Sequence, residues 1–179
     1  VVDLFTGALR PLALGLDHTG VSLGHASWIA DTGRMVTPVA WPGMRVDFHR
    51  DAERPPHDPR HPQGNLVIVG PDDARPTVFA APEHLFDHSS ASHCGRYFVA
   101  DCVGHGIPGK VAIVAGCFAS GKYRVLVSDT GAEMGGPASS HVHPFLTADN
   151  RRVIYNADPR GLCQLHQALV PPGFWESLD

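Results

Sequence analysis

The chain has 179 residues, among them 12 histidines, 19 glycines and 16 prolines; 43% are hydrophobic, 18% are charged, and the net charge is −4. That hydrophobic share supports a packed core and excludes a disordered chain, and no apolar run approaches the roughly 18 residues of a membrane span. The 14 Lys and Arg are scattered and outnumbered by 18 acidic residues, so no nucleic-acid-binding surface and no membrane partner is expected.

In chain order, short β-rich runs alternate with turn text. Val1–Phe5 and Leu9–Leu14 read as strands joined through Thr6-Gly7. Ala26–Ala30 and Met35–Ala40 follow, then Leu66–Val69, Thr77–Ala80 and Tyr97–Ala100. Val111–Ala115 and Tyr123–Val127 pair across Ala119-Ser120-Gly121, and Val153–Asn156 is the last predicted strand. No window holds a helical apolar period; the tail Phe174–Leu178 has room for one helical turn. Residues 42–64, rich in proline and carrying His49, His57 and His61, read as a solvated insertion. Cys94, Cys102, Cys117 and Cys163 form no CxxC pair, which predicts free thiols in a reducing, cytoplasmic setting rather than a zinc or redox motif. The opening Val1-Val2-Asp3 lacks signal text, so a signal segment is expected to be absent or already removed.

Internal repetition is the more specific signal. His25-Ala-Ser-Trp-Ile-Ala-Asp-Thr-Gly-Arg34, His88-Ser-Ser-Ala-Ser-His-Cys-Gly-Arg96 and His143-Pro-Phe-Leu-Thr-Ala-Asp-Asn-Arg-Arg152 align. Each reads histidine, short strand, turn, basic residue, hydrophobic strand, and the histidines stand 63 and 55 residues apart. Antiparallel units recurring every roughly 40 to 60 residues predict an all-β fold, a partial β-propeller. Residues 1–14 then form the outer hairpin of a preceding blade, and 25–80, 88–130 and 141–170 one blade each. Since a closed ring needs at least about four blades, the chain is expected to be a fragment, its missing half supplied by further chain or by self-association.

Three histidines in one register of successive blades converge by symmetry, which groups His25, His88 and His143. His141-Val142-His143 adds a second ring on one face of an extended segment, a spacing suited to gripping one divalent ion. Imidazole donors with open positions suit Mn, Fe, Zn, Ni or Co better than Ca or Mg. Arg34, Arg96 and Arg152 read as exposed turn residues, and Trp28 as packing between blades.

The turn Ala30-Asp31-Thr32-Gly33-Arg34 resembles the blade turns of TolB-type propellers. Phe86-Asp-His-Ser-Ser-Ala-Ser-His-Cys-Gly-Arg-Tyr-Phe-Val-Ala-Asp101, Ser140-His-Val-His-Pro-Phe-Leu-Thr-Ala-Asp149 and the ending Val170-Pro-Pro-Gly-Phe-Trp-Glu-Ser-Leu178 resemble the oligogalacturonate lyase family, as does Gly24-His-Ala-Ser-Trp28. The likeness runs along nearly the whole chain and corresponds to the C-terminal half of a seven-bladed propeller. It implies a lyase that binds Mn²⁺ or another divalent transition metal and cleaves short unsaturated oligogalacturonides by β-elimination. It places His88, His141 and His143 on metal positions and His25 on the catalytic base. The family's glutamine ligand, three residues before the histidine pair, is Ala138 in this sequence. An arginine the family uses falls ahead of residue 1. These departures keep a second expectation open, a non-catalytic TolB-like segment acting as an interaction or sugar-binding scaffold.

Overall fold

The computed structural model describes residues 1–14, 24–39, 66–81, 84–103, 110–132 and 140–179. The predicted insertion at 42–64, with its three histidines, and Ala138 lie outside the described residues. Within them the chain forms strands and turns and no helix, and no helix is long and apolar enough to cross a membrane.

Among the described residues eleven strands make three antiparallel sheets. The first holds β1 (Ser27–Trp28), β2 (Met35–Pro38), β3 (Leu66–Val69) and β4 (Thr77–Phe79) in that order. The second holds β5 (Leu85–Ala91), β6 (Tyr97–Val103), β7 (Val111–Cys117) and β8 (Tyr123–Val127), again in chain order. The third orders β9 (Phe145–Leu146), β10 (Arg152–Ala157) and β11 (Gln164–Leu169), with β10 in the middle. This is the all-β, partial propeller architecture expected from the repeats.

The middle sheet packs on both faces, and the two-residue strand period decides which side chain goes where. Phe98, Ala100, Cys102, Ala112 and Val114 join Ile29, Val36, Leu66, Ile68 and Phe79 in a core against the first sheet. Their neighbours Tyr97, Val99, Val111, Ile113, Ala115 and Cys117 join Leu146, Val153, Tyr155 and Ala157 in a core against the third. A strand buried on both faces should read as a continuous apolar run, and β7, Val-Ala-Ile-Val-Ala-Gly-Cys, is buried at every position. Its one glycine has a steric reason: a Cβ on Gly116 would stand 2.4 Å from Cε1 of Phe98.

The tail closes the second core. Phe174 and Leu178 are buried in it, Trp175 stacks on Tyr97 with ring centroids 4.4 Å apart, and the Trp175 indole N–H donates to the Asn150 carbonyl at 2.8 Å. The Ser177 N–H donates to the Gly173 carbonyl, a bond of the spacing expected from one helical turn. Arg96 is an exposed turn residue, as expected, and reaches across to Asp179 at 2.8 Å, while Arg34 pairs with Asp73 at 3.0 Å.

Several expectations change. The two strands predicted in residues 1–14 shrink to one bridge, Val2 with Leu9. Leu4, Phe5 and Leu9 are largely exposed there, so no burial stabilises a longer ladder. Two strands lie where none was predicted at that length. β5 extends the short strand expected after His88 back to Leu85, through the polar run Asp87-His88-Ser89-Ser90, and β11 alternates weakly because it is an edge. Trp28 does not pack between sheets: it is 55% exposed.

Candidate metal centre

The three sheets meet along their first strands. β5 lies against β1 and β2 on one side and against β9 on the other, and the Ala91 N–H donates to the Ser27 hydroxyl across the first junction at 3.3 Å. Each grouped histidine stands at or just ahead of one of these first strands.

His25 lies two residues before β1, exposed, with φ = 55°. Such a left-handed backbone costs a non-glycine residue about 1–2 kcal/mol, so neighbouring structure must impose it. The buried Thr37 does part of this by donating its hydroxyl to the Gly24 carbonyl at 2.9 Å. His143 repeats the arrangement in the third sheet, two residues before β9, exposed, with φ = 43°. Ahead of it, the Asn156 N–H donates to the Val142 carbonyl at 2.8 Å and the Asn156 amide to the His141 carbonyl at 3.3 Å. The buried Ser140 donates to Asp158 at 2.8 Å. Residues 141–143 are therefore not part of a strand, yet Val142 is buried and both imidazoles are exposed beside each other. Their ring centroids are 5.8 Å apart and nearly parallel. The expected side-by-side pair forms by these hydrogen bonds, not by strand pleat.

His88 is held differently. It is 3% exposed inside β5. The β5–β6 register pairs Phe86 with Cys102 and then Ser89 with Ala100, so Asp87 and His88 together face the lone Asp101. That is a β-bulge, a device that re-aims side chains beside functional sites. Asp101 closes it: its Oδ1 accepts the His88 backbone N–H at 2.6 Å, and its Oδ2 bonds His88 Nδ1 at 2.7 Å. A carboxylate on Nδ1 leaves Nε2 as the donor atom, the arrangement that orients metal-binding histidines elsewhere.

The rings converge from the three sheets. His88 lies 4.3 Å from His25, 3.8 Å from His143 and 5.2 Å from His141, centroid to centroid, and His25 lies 5.7 Å from His143. His88 Nε2 and His141 Nδ1 are 3.4 Å apart. Two nitrogens at about 2.1 Å from one ion in tetrahedral geometry stand at about that separation. Donor atoms of His25, His88 and His143 all fall within 4.8 Å of one another, and so do those of Asp87, His88 and His141. The four predicted residues thus come together, with His88 common to both sets. Sequence reasoning did not single out Asp87 or Asp101; the signal available was an acidic residue just before the second histidine and another at the end of its repeat.

Charge around His88 is negative. Asp87 and Asp101 are 4% and 2% exposed, and Asp87 Oδ2 lies 3.5 Å from His88 Nδ1. Among the described residues no Lys or Arg pairs with either carboxylate. Burial opposes protonation of His88, but the hydrogen bond and charge of Asp101, with Asp87 behind them, raise its pKa. Burial pushes the Asp87 carboxyl up, against the pull of His88. His143 is shifted down, by burial first and then by the charge of His88. Imidazole nitrogens beside buried carboxylates that no described Lys or Arg pairs with fit a divalent transition ion.

No family model and no curated protein matches the chain. Among solved structures it is similar to an oligogalacturonate lyase in complex with manganese, with TM-score 0.56 and 15% identity over 85% of this chain and 36% of that one. It is also similar to an oligogalacturonate lyase from Vibrio parahaemolyticus, with TM-score 0.54 and 18% identity over 84% and 36%. At such identities the likeness carries the fold alone. The matched part of the chain spans 36% of the length of each neighbour.

Proposed function

We propose that this chain carries the metal-binding and proton-abstracting part of a lyase that cleaves short, unsaturated oligogalacturonides by β-elimination. His88, His141 and His143 hold Mn²⁺ or another divalent transition ion, and His25 is the base. The observation that supports it is the meeting of four imidazoles from three sheets at ring spacings of 3.8 to 5.8 Å, on a fold shared with two oligogalacturonate lyases, one of them bound to manganese.

The proton α to a uronate carboxylate is weakly acidic, and a bound divalent ion would supply positive charge to that carboxylate as the proton leaves. The chain's own residues do the rest. Asp101 keeps His88 in one orientation, so the ligand geometry is set before substrate arrives. His25 is exposed and accepts the proton on an imidazole nitrogen, in a backbone conformation imposed by the Gly24–Thr37 contact. The C5–H bond breaks toward His25, the electron pair forms the C4–C5 double bond, and the glycosidic oxygen departs from C4.

The test is digestion of digalacturonate by the purified chain, followed by mass analysis and by the ultraviolet absorbance of the new double bond, with and without chelator. Chelator-sensitive production of an unsaturated uronate is expected. His25→Ala should keep the metal and lose turnover, whereas His88→Ala should lose both. Turnover that survives chelation, or none with the metal bound, overturns the reading. Ala138 in place of the family glutamine favours one competing outcome, a scaffold that binds uronate without cleaving it.

A further inference from the structure

The bulge in β5 does more than present His88. In a regular strand, neighbours such as Asp87 and His88 point to opposite faces. With both residues set opposite Asp101, the Asp87 carboxylate instead lies 3.5 Å from the His88 ring nitrogen that Asp101 already occupies at 2.7 Å. Asp101 has two hydrogen bonds that account for its burial. Asp87 is 4% exposed, and its ion-pair contact among the described residues is that crowded nitrogen. Buried carboxylates are expensive and are found paired or bound to metal. Metal binding requires neutral imidazoles and ionised carboxylates, and two carboxylates in that state would carry a charge of −2, which a divalent cation cancels. The donor atoms of Asp87, His88 and His141 already lie within 4.8 Å of one another.

We propose that Asp87 is a direct oxygen ligand of the metal, making the centre a mixed imidazole–carboxylate site that leaves His25 free as base. A carboxylate oxygen tilts the preference of an imidazole set toward Mn²⁺. The inference rests on the metal-centre reading above and adds a ligand that the histidine pattern does not supply.

Calorimetric titration of the metal-free, full chain with Mn²⁺, paired with thermal melts with and without the ion, tests it. Asp87→Asn should weaken Mn²⁺ binding by about tenfold or more and shrink the metal-induced rise in Tm. The same change should raise the metal-free Tm, because it removes a buried charge. Asp87→Glu should recover part of the affinity. A merely structural Asp87 would give a lower metal-free Tm and an unchanged Mn²⁺ affinity, which overturns the proposal. If Asp87→Asn misfolds, Asp87→Ser takes its place with the same criteria. A wild-type chain that binds no Mn²⁺ overturns the metal centre and the ligand together. Wild-type binding that Asp87→Asn matches within twofold overturns the ligand alone.

Discussion

The middle sheet and the third sheet each present a histidine in or just ahead of the first strand, and hold it by opposite means. His88 lies inside β5, 3% exposed, clamped at backbone and ring by Asp101. His143 lies ahead of β9, exposed, and is aimed by a backbone held at φ = 43°; His25, ahead of β1, follows the third sheet's pattern at 55°. The difference follows from position. The middle sheet has neighbours on both faces, so its histidine must be buried and needs a carboxylate partner. The other two sit where the chain enters a strand, and a turn of the backbone is enough. The cluster therefore has one rigidly held imidazole and flanking rings set by local conformation.

The largest expected effect comes from removing the clamp. Asp101→Ala strands a buried backbone N–H and an unsupported imidazole. Stability should fall by about 3 kcal/mol in denaturant titration, and metal affinity by roughly 10–100-fold. A loss below about 1 kcal/mol would mean that burial alone fixes His88 and would erase the contrast.

Next in size is a comparison of glycine and alanine at both places. His143→Gly should be more stable than His143→Ala by about 1 kcal/mol, because alanine pays for a positive φ that glycine does not. His88 is not in that conformation and lies inside a strand, so His88→Gly should be less stable than His88→Ala by about 0.5–1 kcal/mol. The same order at both sites would show that the two anchors do not differ as described.

A smaller effect separates the inner strands from the outer edge. Leu165 and Leu169 on β11 are 72% and 69% exposed. Leu165→Lys should change stability by no more than about 0.5 kcal/mol and leave metal binding unaltered, while reducing self-association measured by sedimentation. A loss of metal affinity would link the edge to the centre and break the separation.

The smallest concerns the turn between β9 and β10. The Thr147 hydroxyl donates to Asp149 at 2.6 Å, and the Arg151 N–H donates to it at 3.0 Å. These bonds hold the Asp149 carboxyl below its ordinary pKa. A group lowered in the folded state adds stability above its unfolded value, near 3.9 for aspartate, and that stability is lost as pH falls through the folded value. Asp149→Asn should lower Tm slightly at neutral pH and not at all in strong acid. A deficit that persists in acid would point to the turn geometry rather than the charge.

Much of the fold was legible because apolar runs bounded by turn residues leave few alternatives. Leu66–Val69 and Tyr123–Val127 form strands with the predicted bounds. β5 was legible only at its histidine. Asp-His-Ser-Ser offers no apolar pattern, and what makes it a strand is its place between two other sheets. Trp28 was misread for the complementary reason, since a large aromatic looks buried until the neighbouring surface is known to end short of it.

The all-β, repetitive character of the protein and the recurrence of His25, His88 and His143 at matching places are written in the residue pattern, because a repeat carries equivalent residues to equivalent positions whatever the details of packing. How the rings are held, and which charges stand behind them, depends on strand pairing. Asp87 and Asp101 are 14 residues apart in the chain, and alternation would turn Asp87 away from His88. The bulge opposite Asp101 brings the three together. One extra residue in one strand leaves no mark on hydrophobic periodicity, yet it sets the electrostatics of the centre.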